Sequence, residues 1–249
     1  MTAPATVAAE RDGALATVVI DRPERRNAVD RKTVLELGRV VADHAGTHET
    51  TVLVLRGRGT TFCAGADGGD LGVLLQRTDD ELMDDFREQL DVLDVIRRSG
   101  AVTVAAVQGV ALGFGVALAA SCDLVVAASD ARFGLPEIKL GMAPAMVLPS
   151  LRHRLAPGQA LRLAVGARTI TAEEAESIGL VDLVLPADDY DAALEQILGE
   201  LGAHDPDAAR RSVRIVRGLA AGEDVDIPQE SCETVRSPAV ARALERFGS

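Results

Sequence analysis

Three short apolar runs, Ala14–Ile20, Thr51–Leu55 and Val102–Val107, each lead through a turn into a stretch that favours helix. The last two are apolar apart from Thr51 and Thr103, as expected of buried strands, and the first closes on the turn Asp21-Arg22-Pro23. After the first run, helical periodicity extends from Asp30 to about Gly46, with Val34, Leu37, Val41 and Ala45 on one face and Asp30 as N-cap. After the second come a loop through Asp70 and a long amphipathic helix from Asp79 to about Arg98, with acidic residues in its first turn. The third leads to a helix at Gly113–Ala120 and a further strand at Asp123–Ala128. The unit thus recurs over Ala14–Gly46, Thr51–Arg98 and Val102–Ser121 without any repeat of the residues themselves. Helical crossovers favour parallel pairing, so an α/β fold with helices outside a sheet is expected.

Beyond Pro136 the pattern changes. Short helices are expected at Met146–Leu155, Pro157–Val165 and Ala172–Ile178, the last opened by Thr171 and closed by Gly179. A final strand follows at Val181–Leu185. From Ala187 onward helices are expected at Ala187–Leu201, Asp207–Leu219 and Pro238–Phe247, a region suited to packing on a neighbouring subunit.

Composition narrows the partners. A formal net charge of −12 repels nucleic acid and anionic membrane, so an anionic small ligand would need local Arg residues or backbone N–H groups. No apolar run approaches a membrane span, and Met1–Glu10 lacks the build of a signal peptide. Cys63, Cys122 and Cys232 form neither a disulfide framework nor a zinc pattern, which points to a reducing, cytoplasmic setting. The histidines at 44, 48, 153 and 204 show no metal spacing, and His44 and His48 straddle a helix end that they would cap. With no Trp and one Tyr, the core must be built from Ala, Val and Leu.

Two glycine-bearing turns carry the chemistry. Phe62-Cys63-Ala64-Gly65-Ala66-Asp67 follows the second strand, and Gly109-Val110-Ala111-Leu112-Gly113-Phe114-Gly115 follows the third. Two turns that expose N–H groups can face one oxygen atom and form an oxyanion hole. A thioester held there becomes acidic at its α-carbon, and Glu137, in Gly134-Leu135-Pro136-Glu137, is the carboxylate that would move the proton. The plainer reading makes Glu137 a first-turn helix acid, the glycines tight-turn formers, Asp67 a turn or cap residue, and Arg25 and Arg26 solvated charge.

At these residues the chain resembles the crotonase, or enoyl-CoA hydratase/isomerase, superfamily. Asp21-Arg22-Pro23-Glu24 with Asn27-Ala28, the two turns, Ser121-Cys122-Asp123, Phe133 to Gly141 and Ala175 to Asp182 carry the resemblance from about Ala14 to the C-terminus. It implies a spiral of ββα units over residues 1–190 holding an acyl-CoA site. It also implies a helical region over 191–249 that forms a homotrimer or dimer of trimers. The N–H groups of Ala66 and Phe114 would be the oxyanion donors and Glu137 the acid/base. Arg25, Arg26 and Ala64, Gly65, Ala66 and Asp67 would contact coenzyme A, which is part of the substrate; neither a metal nor a separate cofactor is expected. The chain departs from the hydratase pattern at Ala117, where hydratases carry a second glutamate, and at Phe114, whose ring would fill space near the acyl chain. Ala143-Pro144-Ala145-Met146-Val147 resembles the Δ3,Δ2-enoyl-CoA isomerase branch and some branched-chain hydratases more than the straight-chain hydratases. Decarboxylase, hydrolase and non-catalytic acyl-CoA-binding readings share the same turns.

Overall fold

A strand with apolar layers on both sides can send alternate side chains into two separate cores, and the central strands do so. The computed structural model describes residues 5–45, 47 and 49–247. The strands are β1 (Val7–Asp12), β2 (Leu15–Ile20), β3 (Val52–Gly57), β4 (Val102–Val107), β5 (Val110–Leu112), β6 (Leu124–Ala128), β7 (Arg132–Gly134), β8 (Ile170–Thr171) and β9 (Leu183–Leu185). The helices are α1 (Arg31–Ala45), α2 (Gly68–Leu74), α3 (Asp79–Arg97), α4 (Phe114–Ala120), α5 (Leu148–Leu151) and α6 (Pro157–Gly166). They continue with α7 (Ala172–Ser177), α8 (Tyr190–Gly202), α9 (Pro206–Ala221), α10 (Ile227–Val235) and α11 (Pro238–Phe247).

One sheet runs β1-β2-β3-β4-β6-β9 and a second runs β5-β7-β8. Every pairing in the larger sheet beyond the β1/β2 hairpin is parallel. Successive units send one strand to each sheet: β4 then β5, and β6 then β7. This is the α/β spiral of ββα units expected from the resemblance. Leu53, Leu55, Ala105, Val107, Val125 and Ala127 face a core shared with α1, α3 and α4. Their neighbours Val52, Val54, Val104, Ala106, Val126 and Ala128 pack instead with Tyr190, Leu194 and Leu198 of α8. Parallel pairing demands this double cover, and the double cover makes such strands read as unbroken apolar runs.

Several elements differ from the sequence-based expectation. β1 pairs with β2 through Gly13-Ala14, with Gly13 at φ 55°; Asp12-Gly13 was its turn signal. The stretch expected as a loop contains α2, capped by Asp67, whose side chain accepts from Gly69 N. The helix expected over Met146–Leu155 shrinks to α5, behind the turn at Pro144, and α10 had no counterpart in the expectation. Asp30 does cap α1, accepting from Thr33 N at 2.7 Å. His44 places Nδ1 2.9 Å from Val40 O, whereas His48 lies outside the described residues.

Small residues bring the elements close where the two turns meet. A Cβ on Gly115 would stand 2.4 Å from Cys63 O, so α4 lies directly on the chain leading into the first turn. No larger residue fits there without displacing one turn from the other.

Candidate active site

The two turns are tied together by their backbones. Phe62 N donates to Gln108 O, Cys63 N to Val110 O, and Leu112 N to Cys63 O, at 2.9–3.0 Å. They emerge side by side beyond the carboxyl ends of β3 and β4, where ligands settle in open α/β sheets. Gly65 adopts φ 97°, and a Cβ there would meet Leu112 O at 2.8 Å and Phe114 N at 3.8 Å. Only glycine lets the turns come this close.

The direction of each amide follows from its own peptide. Gly65 O accepts from Val29 N, and Asp67 N donates to Val29 O, both at 2.9 Å. A trans peptide points its N–H opposite its carbonyl, so the Ala66 N–H points away from Val29. Gly113 O accepts from Val116 N at 2.9 Å within the first turn of α4, so the Phe114 N–H points out of that helix end. As the first residue of α4, Phe114 has no intrahelical acceptor for that N–H. Its φ is not positive, and its ring is buried in the apolar core.

Glu137 begins a short 3₁₀ turn, Glu137–Leu140, that ends at Gly141 with φ 76°. Its carboxyl folds back onto the second glycine turn: a Cβ on Gly113, at φ 50°, would stand 2.6 Å from Glu137 Oε1. Oε2 is buried without a hydrogen-bond partner among the described residues. Burial raises its pKa above the ordinary glutamate value, only partly offset by its own backbone amide. Ala117, one turn along α4, is 0% exposed and brings no polar group.

The other expected site residues take varied roles. Arg25 and Arg26 are exposed, and Arg26 O accepts from Ala64 N at 3.1 Å, so their loop abuts the first turn. Asp67 is ion-paired with Arg22 at 2.9 Å besides capping α2. The side chain of Asp70 lies outside the described residues. Cys63 is buried, and burial pushes its thiol up to about 12, which leaves it inert beside the turn.

Two residues escaped the sequence reading. Asn27, fully buried at φ 53°, accepts from Arg22 N at 2.9 Å and donates to Arg58 O at 2.9 Å and Thr61 O at 2.6 Å. Its amide joins the loop after β2 to the chain entering the first turn. Arg22 joins the same loop to Asp30 and Asp67. Motif membership was the only sequence signal for either. A cleft of about 1470 Å³ lies elsewhere, at the opposite end of α4 near Ser121, among Arg97, Arg152, Arg214 and Arg217.

Residues 10–218 match the family model for enoyl-CoA hydratase/isomerase. The chain belongs to that family. It is 32% identical over 236 residues to the short-chain-enoyl-CoA hydratase of Clostridium acetobutylicum, covering 89% of this chain and 85% of that one. It is 32% identical to the 2,3-dehydroadipyl-CoA hydratase of Escherichia coli K12, covering 80% and 77%. The crystal structure of an enoyl-CoA hydratase/isomerase from Marinobacter aquaeolei superposes with a TM-score of 0.89 at 28% identity, covering 97% of this chain and 96% of that one. The protein is thus an enzyme of the enoyl-CoA hydratase/isomerase family with the crotonase fold. Among the described residues no helix is long and apolar enough to cross a membrane, and no cluster of His, Cys, Asp or Glu is arranged to hold a metal ion.

Proposed function

We propose that this enzyme stabilises the enolate of an acyl-CoA thioester as a hydratase/isomerase, and that its residues favour moving a double bond from the 3,4 to the 2,3 position over adding water. Glu137 is the single acid/base, and the N–H groups of Ala66 and Phe114 hold the enolate oxygen. One observation carries the reading: a buried, unpartnered carboxyl oxygen lies beside the second turn, while position 117 offers only a buried methyl group. Isomerisation needs one base, which takes the α-proton and returns it at the γ-carbon. Hydration needs a water activated and held as well as a proton delivered, which one carboxylate does less readily. The names of the relatives favour hydration, which passes through the same enolate.

Coenzyme A lies along Ala64, Gly65, Ala66 and Asp67 in this reading, with Arg25 and Arg26 approaching its phosphates. The exposure of both arginines and the contact of Arg26 O with Ala64 N support it. Residues 191–249 assemble the enzyme as a homotrimer or dimer of trimers, supported by the exposed apolar side chains Val216, Leu219, Val235 and Leu244. A reducing, cytoplasmic setting accords with three free cysteines.

The test is to supply 3-hexenoyl-CoA and crotonyl-CoA separately. Conversion of the first to 2-hexenoyl-CoA, with hydration of the second about tenfold slower or less, is expected on the single-base argument. The reverse ranking identifies a hydratase. Inertness toward both, with binding retained, identifies a decarboxylase, a hydrolase or a non-catalytic acyl-CoA-binding protein.

A further inference from the structure

Behind the Ala66 amide runs a line of peptide groups that ends on a cation. The peptide carrying the Ala66 N–H has Gly65 O at its other end, and that oxygen accepts from Val29 N at 2.9 Å. The peptide carrying the Val29 N–H has Ala28 O at its other end, and that oxygen accepts from Arg22 Nη1. The chain has no cis peptide bond among its described residues, so each N–H opposes its carbonyl and the two peptide dipoles line up head to tail. Hydrogen bonds in such a line polarise one another. A positive charge at the far end strengthens the donor at the near end.

The same guanidinium also fixes where that donor points. Its Nη2 lies 2.9 Å from Asp67 Oδ2 and 3.2 Å from Asp30 Oδ2. Asp67 N donates to Val29 O, so Arg22 grips both sides of the Val29–Ala66 bridge. The Arg22 side chain is only 12% exposed, so solvent screens this arrangement weakly. The two carboxylates sit on Nη2, leaving Nη1 on the peptide line.

We propose that Arg22 is a positioning residue for the enolate-forming step. It orients and polarises the Ala66 N–H through the peptides Ala28–Val29 and Gly65–Ala66. This deepens, and rests on, the reading of Ala66 as an oxyanion donor. The effect grows as negative charge develops on the thioester oxygen, so it appears in kcat rather than in KM.

Two readouts on the full chain test it. The first is kcat and KM for 3-hexenoyl-CoA in the wild type, Arg22→Met and Arg22→Lys. The second is the carbonyl stretch of bound butyryl-CoA carrying ¹³C at the thioester carbon, which has no double bond to react. In the wild type, binding lowers the carbonyl frequency. Arg22→Met loses much of that shift and about tenfold in kcat, less than the roughly 10²–10³-fold of removing a whole oxyanion donor, with KM within about twofold. Arg22→Lys keeps the charge but not the planar fork, and falls between. A folded Arg22→Met with the wild-type shift and kcat overturns the inference alone. A wild type without any carbonyl shift overturns the oxyanion reading and the inference together. If Arg22→Met lacks a cooperative melt, Arg22→Lys decides: wild-type shift and kcat overturn the inference, and a reduced shift with lower kcat at unchanged KM supports it.

Discussion

Glu137→Gln is expected to lower turnover of 3-hexenoyl-CoA by about 10²–10⁴-fold, the usual worth of a general acid/base, and to raise the melting temperature at neutral pH. Both effects have one origin. The carboxyl is drawn out of water beside Gly113 with one oxygen unpartnered, and burial raises its pKa. The folded protein therefore holds this proton to a higher pH than the unfolded chain does. Stability from this group is fully present below the unfolded value, about 4.3, and is lost as pH rises through the folded value. Glutamine fills the same space without that loss. The melting-temperature gain of Glu137→Gln should thus be greatest near pH 7 and vanish below about pH 4. The acid limb of kcat/KM in the wild type should lie above the ordinary glutamate pKa, since the base must be ionised to act. A variant that is neither slower nor more stable would remove Glu137 from the mechanism.

Gly113→Ala is expected to be nearly as damaging, although it removes no polar group. Gly113 adopts φ 50° and ψ −118°, a conformation that side chains resist at a cost of about 1–3 kcal/mol. Its Cβ would stand 2.6 Å from Glu137 Oε1 and 3.4 Å from the carboxyl carbon. Either the carboxyl leaves its place or the turn carrying the Phe114 N–H shifts. A displacement of about 1 Å in a reacting constellation costs on the order of 10²-fold in rate, and kcat/KM should fall by at least that much. Gly158→Ala is the control, because Gly158 lies in α6 with nothing within 4 Å of the added methyl. Its activity should be unchanged and its stability equal or slightly raised. Equal activity in both variants would show that the approach of Gly113 to Glu137 has no part in the reaction.

How much of this was legible in the sequence depended on how local each signal is. β3, β4 and β6 are buried on both faces, and their apolar runs announce themselves. β1 is an edge strand carrying Glu10, Arg11 and Asp12, so only the turn residues Asp12-Gly13 marked it. β5, β7 and β8 are two or three residues long, too short for any periodicity to register. α2 contains Gly68, Gly69 and Gly72, whose propensities oppose helix; the cap from Asp67 and the surrounding fold override them.

The candidate site divides in the same way. Its glycines and Glu137 stood out because turns following buried strands are recognisable one at a time. Their convergence was legible only through the family resemblance, since it depends on backbone bonds between Cys63 and the 110–112 segment, nearly fifty residues away. Arg22 reads as an ordinary surface charge before a proline until Asp67, 45 residues on, is folded against it.

The central claim is that one half-buried carboxyl carries a proton between two carbons of an enolate. Its most direct test is a single turnover of 3-hexenoyl-CoA bearing deuterium at the α-carbon, in ordinary water. A lone base shielded from solvent predicts a substantial fraction of the deuterium at the γ-carbon of the 2-hexenoyl product. Deuterium found solely in the water, with the γ-carbon protonated only from solvent, would contradict it.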